Sequence, residues 1–203
     1  MAKKKKVGFL YGLVNDHRAY KGLVKIGVSS TSLKTRSHGL NTGSLGHFKP
    51  FVFIYSKHYE MMERIVKEFF KNFTKCTLEG KELYRLSEEK TIKLFEILAG
   101  IFGERCHVVP ASADYLFCSW DGGEAVCEAC EDGKFVVPRG TMVRRANVKA
   151  MSSSYRRDYF DLVKQGVIKN GMFKRKCVFD SRSAAAAMIF GTQRNGKTTW
   201  KHL

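Results

Sequence analysis

The apolar residues of this chain lie in short runs that are separated by polar segments containing glycine and asparagine. In the first half, β-branched and aromatic side chains predominate in three such runs, which predicts strands at residues 7–14, 23–28 and 51–55. Apolar residues at spacings of three and four predict amphipathic helices over residues 58–73 and 88–101, and a shorter helix is predicted at 33–40. We therefore expect an α/β fold of the α+β kind, in which a small antiparallel or mixed three-stranded sheet is flanked by helices.

The second half of the chain predicts a separate small domain. Strands are predicted at residues 114–120, 124–130 and 134–137, separated by Asp-Gly turns, and a polar helix is predicted at 154–165. A length of 203 residues allows one domain or two small ones. We assign residues 1–106 to the first domain, 107–113 to a linker and 114–203 to a C-terminal α+β domain.

The charge of the chain favours a polyanionic partner. Lys and Arg number 36 against 19 Asp and Glu, a formal charge of +17, and basic residues are in excess in both halves. Nucleic acid is favoured over an anionic membrane surface, and no apolar run is long enough for a membrane span. Residues 1–14 imitate a signal peptide, but polar residues follow at once without a cleavage site. We expect a soluble, cytoplasmic protein.

Six cysteines without a secretory context indicate free thiols. Cys127 and Cys130 have the spacing of zinc ligands, but a structural zinc site needs a second pair or suitably placed histidines. Free thiols are therefore favoured over a zinc site.

Four polar residues of the first half carry the groups that phosphodiester hydrolysis requires. Tyr11 and Lys25 lie on the first two predicted strands, and Arg36 and Glu63 lie on the helices that follow. A carboxylate can hold a hard divalent cation, a guanidinium can bind phosphate, and a phenol or amine can position or deprotonate water. Taken singly, each residue is better explained as a packing residue or as a solvated surface residue.

The order of these residues resembles the GIY-YIG nuclease superfamily, in particular the phage-type branch that carries KIG in place of YIG. The resemblance covers residues 7–86 and rests on six short pieces: Gly8 to Tyr11, Lys25 to Gly27, Arg36, residues 40–44, Met62 to Arg64, and residues 80–84.

This resemblance implies a role for each matching residue. Tyr11 would orient or activate water, Lys25 would assist it or act as base, Arg36 would hold the scissile phosphate and Glu63 would bind one Mg²⁺ or Mn²⁺. The sequence departs from the branch in two places. The first motif is stretched to GFLY, and Lys67 stands four residues after the glutamate, where the branch often has histidine. Lys67 and Asn41 are further candidates for contacts with nucleic acid.

Residues 114–203 resemble a small domain of unknown function that often follows GIY-YIG modules, and their ending is similar to the restriction-enzyme and adenine-methylase-associated (RAMA) type. That resemblance implies DNA binding and no catalytic residues. Six arginines of this region could contact phosphates: Arg144, Arg145, Arg156, Arg157, Arg182 and Arg194. Scattered surface charge is the alternative explanation for them, and Trp200 is expected in the core.

The prediction is a metal-dependent endonuclease that hydrolyses phosphodiester bonds in DNA, with a basic C-terminal module for DNA binding. Cutting of both strands would need a homodimer or two encounters. The expected setting is a prokaryotic or phage cytoplasm, in restriction, mobility or repair. Two alternatives stay open: a DNA-binding protein that keeps the fold without cutting, and an interaction protein that binds RNA or another polyanion.

Overall fold

A computed structural model describes residues 7–71, 75–78, 81–109, 114–120 and 123–202. The chain divides into two compact units, residues 1–112 and 113–203. Each unit has its own sheet, its own helices and its own hydrophobic core.

The first unit is built on a six-stranded sheet with the strand order β4-β5-β2-β1-β3-β6. All neighbouring strands in it are antiparallel. The strands are β1 (Gly8–Asn15), β2 (Leu23–Ser29), β3 (Phe48–Ser56), β4 (Lys75–Leu78), β5 (Lys81–Arg85) and β6 (Cys106–Val108).

Among the described residues of this unit there are a short 3-10 helix, Arg18–Tyr20, and three α-helices: α1 (Leu33–Asn41), α2 (Tyr59–Phe70) and α3 (Glu88–Phe102). The Ser32 hydroxyl caps α1 by accepting a hydrogen bond from the backbone of Thr35. Helix α2 buries one side chain per turn, at Met62, Val66 and Phe70, so its polar residues lie on its other faces.

The predicted central strands and flanking helices are present, but the sheet is larger than expected. Three short strands, β4, β5 and β6, extend the predicted three-stranded sheet. His107 and Val108 were expected in the linker; instead they pair with β3 as part of β6. Residues 110–113 of the linker lie outside the described residues, as do Gly80 of the resembling motif, the Asp121-Gly122 turn and the basic start of the chain.

The second unit contains a five-stranded antiparallel sheet with the order β12-β9-β8-β7-β13 and a two-stranded pair, β10-β11. Its strands are β7 (Asp114–Trp120), β8 (Gly123–Ala129), β9 (Phe135–Val137), β10 (Ile168–Lys169), β11 (Met172–Phe173), β12 (Cys177–Phe179) and β13 (Lys201–His202). Its helices are α4 (Ser153–Lys164), α5 (Arg182–Phe190) and α6 (Gly196–Thr199).

Helix α5 forms the centre of the second core because its small alanines allow close packing. The six residues 185–190 are all buried. Gly191 ends the helix in the left-handed conformation with a φ of 60°, and a Cβ there would lie 2.3 Å from the Cα of Ala146. Trp200 is buried, as predicted, and its indole N–H donates to the carbonyl oxygen of Arg182 at 3.0 Å.

The expected fold class is confirmed: both units combine antiparallel sheets with flanking helices. No helix within the described ranges has the length and apolar character needed to cross a membrane.

Candidate active site

Tyr11 and Arg36 are in direct contact. Tyr11 lies in the middle of β1 with its side chain fully buried, and the Arg36 Nε donates a hydrogen bond to its phenolic oxygen at 2.9 Å. Burial raises the pKa of Tyr11, the hydrogen bond and charge of Arg36 oppose this rise, and the carboxylate of Glu63 adds to it. The net direction is upward, so the phenol keeps its proton at neutral pH.

Gly27 makes room for this phenol. It lies opposite Tyr11 in the β1–β2 pairing, and a Cβ at Gly27 would lie 2.7 Å from the phenolic oxygen. Glycine within a strand often marks such a close approach. The glycine of the KIG motif therefore has a steric function in this structure, since a larger residue would displace the Tyr11 ring.

Lys25 lies on β2, half-buried, and its Nζ donates to the backbone carbonyl oxygen of Glu82 on β5 at 2.9 Å. Burial lowers the pKa of Lys25, the carboxylates of Glu82 and Glu63 oppose that change, and the positive charges of Arg36 and Lys67 reinforce it. Lys25 thus has a larger neutral fraction at a given pH than an exposed lysine.

Glu63 lies on α2, one residue after the buried Met62, and its side chain is 20% exposed. The Lys67 Nζ lies 3.2 Å from its Oε1, an ion pair one helical turn apart. Because its charge acts on both Tyr11 and Lys25, Glu63 belongs to the same electrostatic neighbourhood. The structure therefore brings together the four predicted catalytic residues and Lys67.

Tyr84 lies close enough to Glu63 to be affected by its charge, and both Tyr84 and Asn41 have structural contacts. Tyr84 is buried and packs against the ring of Phe70 at a centroid distance of 5.6 Å. Burial, together with the negative charges of Glu82 and Glu63, raises the pKa of Tyr84 to about 12. The Oδ1 of Asn41 accepts a hydrogen bond from the backbone of Phe48 at 2.7 Å, which closes the loop between α1 and β3.

The guanidinium of Arg156, in the second unit, is hydrogen-bonded to the backbone. Its guanidinium donates to the backbone carbonyl oxygens of Val148, Lys149 and Met151 at 3.0, 3.3 and 3.1 Å. These bonds tie α4 to the short 3-10 helix at residues 148–150. The predicted role of Arg156 in binding phosphate competes with this structural function.

The other five arginines differ in their side-chain contacts. Arg182 lies over the ring of Phe135 at 5.6 Å and Arg194 over the ring of Phe190 at 5.0 Å. Arg194 is nevertheless exposed, whereas Arg182 is half-buried. The remaining three, Arg144, Arg145 and Arg157, are exposed and have no side-chain contact of these kinds within the described ranges. Because such a guanidinium is open to a phosphate from solvent, these three fit the predicted contact with nucleic acid best.

No group of three or more His, Cys, Asp or Glu side chains with the geometry of a metal site occurs within the described ranges. All six cysteines are free thiols. Burial raises the pKa of Cys127 to about 12, and the neighbouring Cys130 and Glu128 add to the rise. At neutral pH Cys127 is therefore a protonated thiol.

Two features of the site were not predicted from the sequence. One is the backbone carbonyl of Glu82, which anchors Lys25; the pairing of β5 with β2 brings it there, and no sequence motif marks it. The other is the steric function of Gly27, for which an isolated glycine inside a predicted strand was an available signal.

Among curated proteins and among solved structures, none matches the chain. The resemblance of residues 7–86 to GIY-YIG nucleases thus stays a prediction that rests on motif order. The trailing domain of unknown function is supported by a family model: residues 116–203 match the domain of unknown function DUF4357.

Proposed function

We propose that the first unit is a metal-dependent endonuclease domain of the GIY-YIG type that hydrolyses phosphodiester bonds in DNA. The observation that carries this proposal is the convergence of Tyr11, Lys25, Arg36 and Glu63 from four different elements, with Tyr11 and Arg36 joined at 2.9 Å. A guanidinium that is fixed by a buried phenol, with an amine and a carboxylate nearby, is suited to binding a phosphate. The second unit, which is basic, would bind DNA and position the first.

The geometry distributes the roles among these side chains. Tyr11 is fully buried and accepts a hydrogen bond from Arg36, so its role in this arrangement is to hold the guanidinium in position for a phosphate. Arg36 is exposed beyond this bond and can bind phosphate through its terminal amino groups. Lys25, whose pKa is lowered by burial, is the better acceptor of the proton from water, because Tyr11 keeps its own proton at neutral pH.

Glu63 fits a site for one Mg²⁺ or Mn²⁺. Mg²⁺ commonly binds proteins through one or two carboxylates and completes its shell with water and substrate phosphate, so a single partly exposed carboxylate suffices. When bound, the ion would neutralise charge on the leaving oxygen. Without it, Lys67 neutralises the Glu63 carboxylate.

Supercoiled plasmid tests the activity directly. We expect the full chain to nick or linearise plasmid with Mg²⁺ or Mn²⁺ and to leave it intact with EDTA, because the proposed site uses the cation. A Glu63→Gln preparation purified in parallel reports any contaminating nuclease. Intact plasmid under all metal conditions, together with a retained gel shift of the same DNA, would reject the nuclease proposal.

The second candidate is a DNA-binding protein that does not cut, and the ion pair between Lys67 and Glu63 is the observation that favours it. A carboxylate whose charge is already compensated attracts a cation less strongly. The two candidates differ in whether Mn²⁺ can displace the Lys67 ammonium from Glu63.

Lys67→Met is therefore expected to tighten Mn²⁺ binding by up to about fivefold, since an ion pair of this exposure contributes about 0.2–1 kcal/mol. Titration of Mn²⁺ followed by electron paramagnetic resonance measures the change. Lys71→Met is the matched control, because Lys71 lies one helical turn further on and pairs with Glu68 instead. If wild type and Lys67→Met both fail to bind Mn²⁺ in the presence of DNA, the non-cleaving candidate is favoured.

A further inference from the structure

Helix α2 carries an apolar face that is exposed to solvent. Met61, Ile65 and Phe69 follow one another at intervals of one helical turn, and these residues are 45%, 41% and 67% exposed. Among the described helices, α2 alone presents three exposed large apolar residues in this way. With Arg64 and Glu68 they line a shallow groove of about 480 Å³, which we call the α2 stripe. Contiguous exposed apolar surface commonly marks a contact with another molecule.

The α2 stripe is separate from the core and from the candidate active site. The core side of α2 is formed by Met62, Val66 and Phe70, which pack on the sheet of the first unit. Successive residues of an α-helix are about 100° apart around its axis, so Glu63 lies roughly 160° around the helix from Ile65. A molecule bound to the stripe therefore leaves the Glu63 carboxylate uncovered.

The charged residues of the stripe have opposite signs and lie on one side of it. Arg64 and Glu68 are both exposed and are one helical turn apart. No hydrogen bond or ion pair of the Arg64 side chain occurs within the described ranges. Glu68 pairs with Lys71, but a carboxylate has two oxygens and can accept from a second cation as well. The stripe therefore offers one cation and one anion to a partner.

These charges are complementary to those of a second copy of the same helix. When two copies of α2 pack antiparallel about a twofold axis beside Ile65, Met61 of each copy faces Phe69 of the other, because both lie four residues from Ile65. The axis keeps the charged sides of the two helices together, and Arg64 lies only about 3 Å along the helix direction from Glu68 of the second copy. In a parallel twofold pair the charged sides would lie apart, so the charges favour the antiparallel arrangement.

We propose that the α2 stripe is the contact between two copies of this chain, packed antiparallel about a twofold axis beside Ile65. This inference does not depend on the proposed function. One helix face buries less than the roughly 800 Å² per partner of a stable complex, so we expect a reversible dimer with a dissociation constant between about 1 μM and 1 mM. Each copy carries a charge of +17, so association should weaken at low ionic strength.

Sedimentation equilibrium of the full chain without DNA tests the contact, at about 0.15 M salt, where charges more than roughly 8 Å apart are screened. Ile65→Asp places two carboxylates side by side at the twofold axis, so the dissociation constant of the dimer should rise at least about tenfold. Val163→Asp on α4 is the matched control, because Val163 is also a β-branched helix residue and is 42% exposed. Its dissociation constant should equal that of wild type.

Charge reversal tests the antiparallel geometry. Arg64→Glu alone and Glu68→Arg alone each put like charges together in a dimer of identical copies, so each should associate at least about fivefold more weakly than wild type. An equal mixture of the two variants restores opposite charges across the contact and should form a heterodimer at least as tight as the wild-type dimer. A wild-type chain that is monomeric up to about 1 mM, equal association by wild type and Ile65→Asp, or a mixture no tighter than its components would overturn the proposal. In the first case the stripe would bind a different protein.

Discussion

Replacing Glu63 by glutamine is expected to reduce the rate of plasmid cleavage on the order of 10³-fold or more, with both Mg²⁺ and Mn²⁺. Glutamine has nearly the same shape but no negative charge, so the proposed cation site loses its one protein carboxylate. Glu63 also compensates part of the positive charge around Lys25, since its carboxylate raises the lysine's pKa against the effect of burial. Initial rates of nicking on supercoiled plasmid, measured over a range of metal concentrations, quantify the loss.

Glu68→Gln is the matched control for this experiment. Glu68 lies on α2 five residues further on, with its side chain 72% exposed and paired with Lys71, away from the buried face of the helix. It should cut at the wild-type rate. If Glu63→Gln cuts as fast as Glu68→Gln, Glu63 does not hold the metal and the assignment of the site fails.

Replacing Lys25 by methionine is expected to lower the cleavage rate by about 10²–10⁴-fold, the contribution typical of a general base. Methionine keeps the length of the side chain and removes the amine. Only the neutral amine can accept a proton, so the wild-type rate should rise with pH up to the pKa of Lys25. Because burial lowers that pKa, the rise should end below the range of an ordinary lysine. The cleavage rate of Lys25→Met should lack this rise with pH.

Lys25→Arg separates proton transfer from electrostatic attraction. Arginine keeps the positive charge and can donate to the Glu82 carbonyl oxygen, but it does not release a proton in this pH range. We expect it to be as inactive as Lys25→Met, with an unfolding midpoint close to that of wild type. Retained activity in Lys25→Arg, with an unchanged pH profile, would show that Lys25 acts only through its charge.

The outline of the fold was predictable from local patterns. Helix α2 was expected from apolar residues at spacings of three and four, which need no knowledge of the partner. These residues were Met62, Ile65, Val66, Phe69, Phe70 and Phe73. The structure buries Met62, Val66 and Phe70 but leaves Ile65 and Phe69 exposed, and Phe73 lies outside the described residues. Strands β4 and β6 were not expected, because each contains one β-branched residue and lacks the apolar run that marked the equally short β9. They form strands because they pair with β5 and β3, which is a tertiary effect.

The candidate site shows the same division. The sequence showed the chemical groups of the candidate site and their order along the chain: Tyr11, Lys25, Arg36 and Glu63. It also showed the family resemblance that implies their roles. The sequence did not show whether each of these residues is catalytic, packed in the core or exposed at the surface. One residue at one position carries no pattern that separates these three cases.

Local periodicity and composition were sufficient to predict the central strands and helices, the basic charge and the identity of the polar groups. The contacts of these groups required the folded chain. The Tyr11 phenol accepts from Arg36 at 2.9 Å, and Lys25 donates to the Glu82 carbonyl oxygen. In the second unit, Arg156 donates to the backbone carbonyl oxygen of Val148. Distances between groups far apart in the chain depend on strand order and register. Burial, and hence the directions in which the pKa values of Tyr11 and Lys25 change, depends on everything that packs around them.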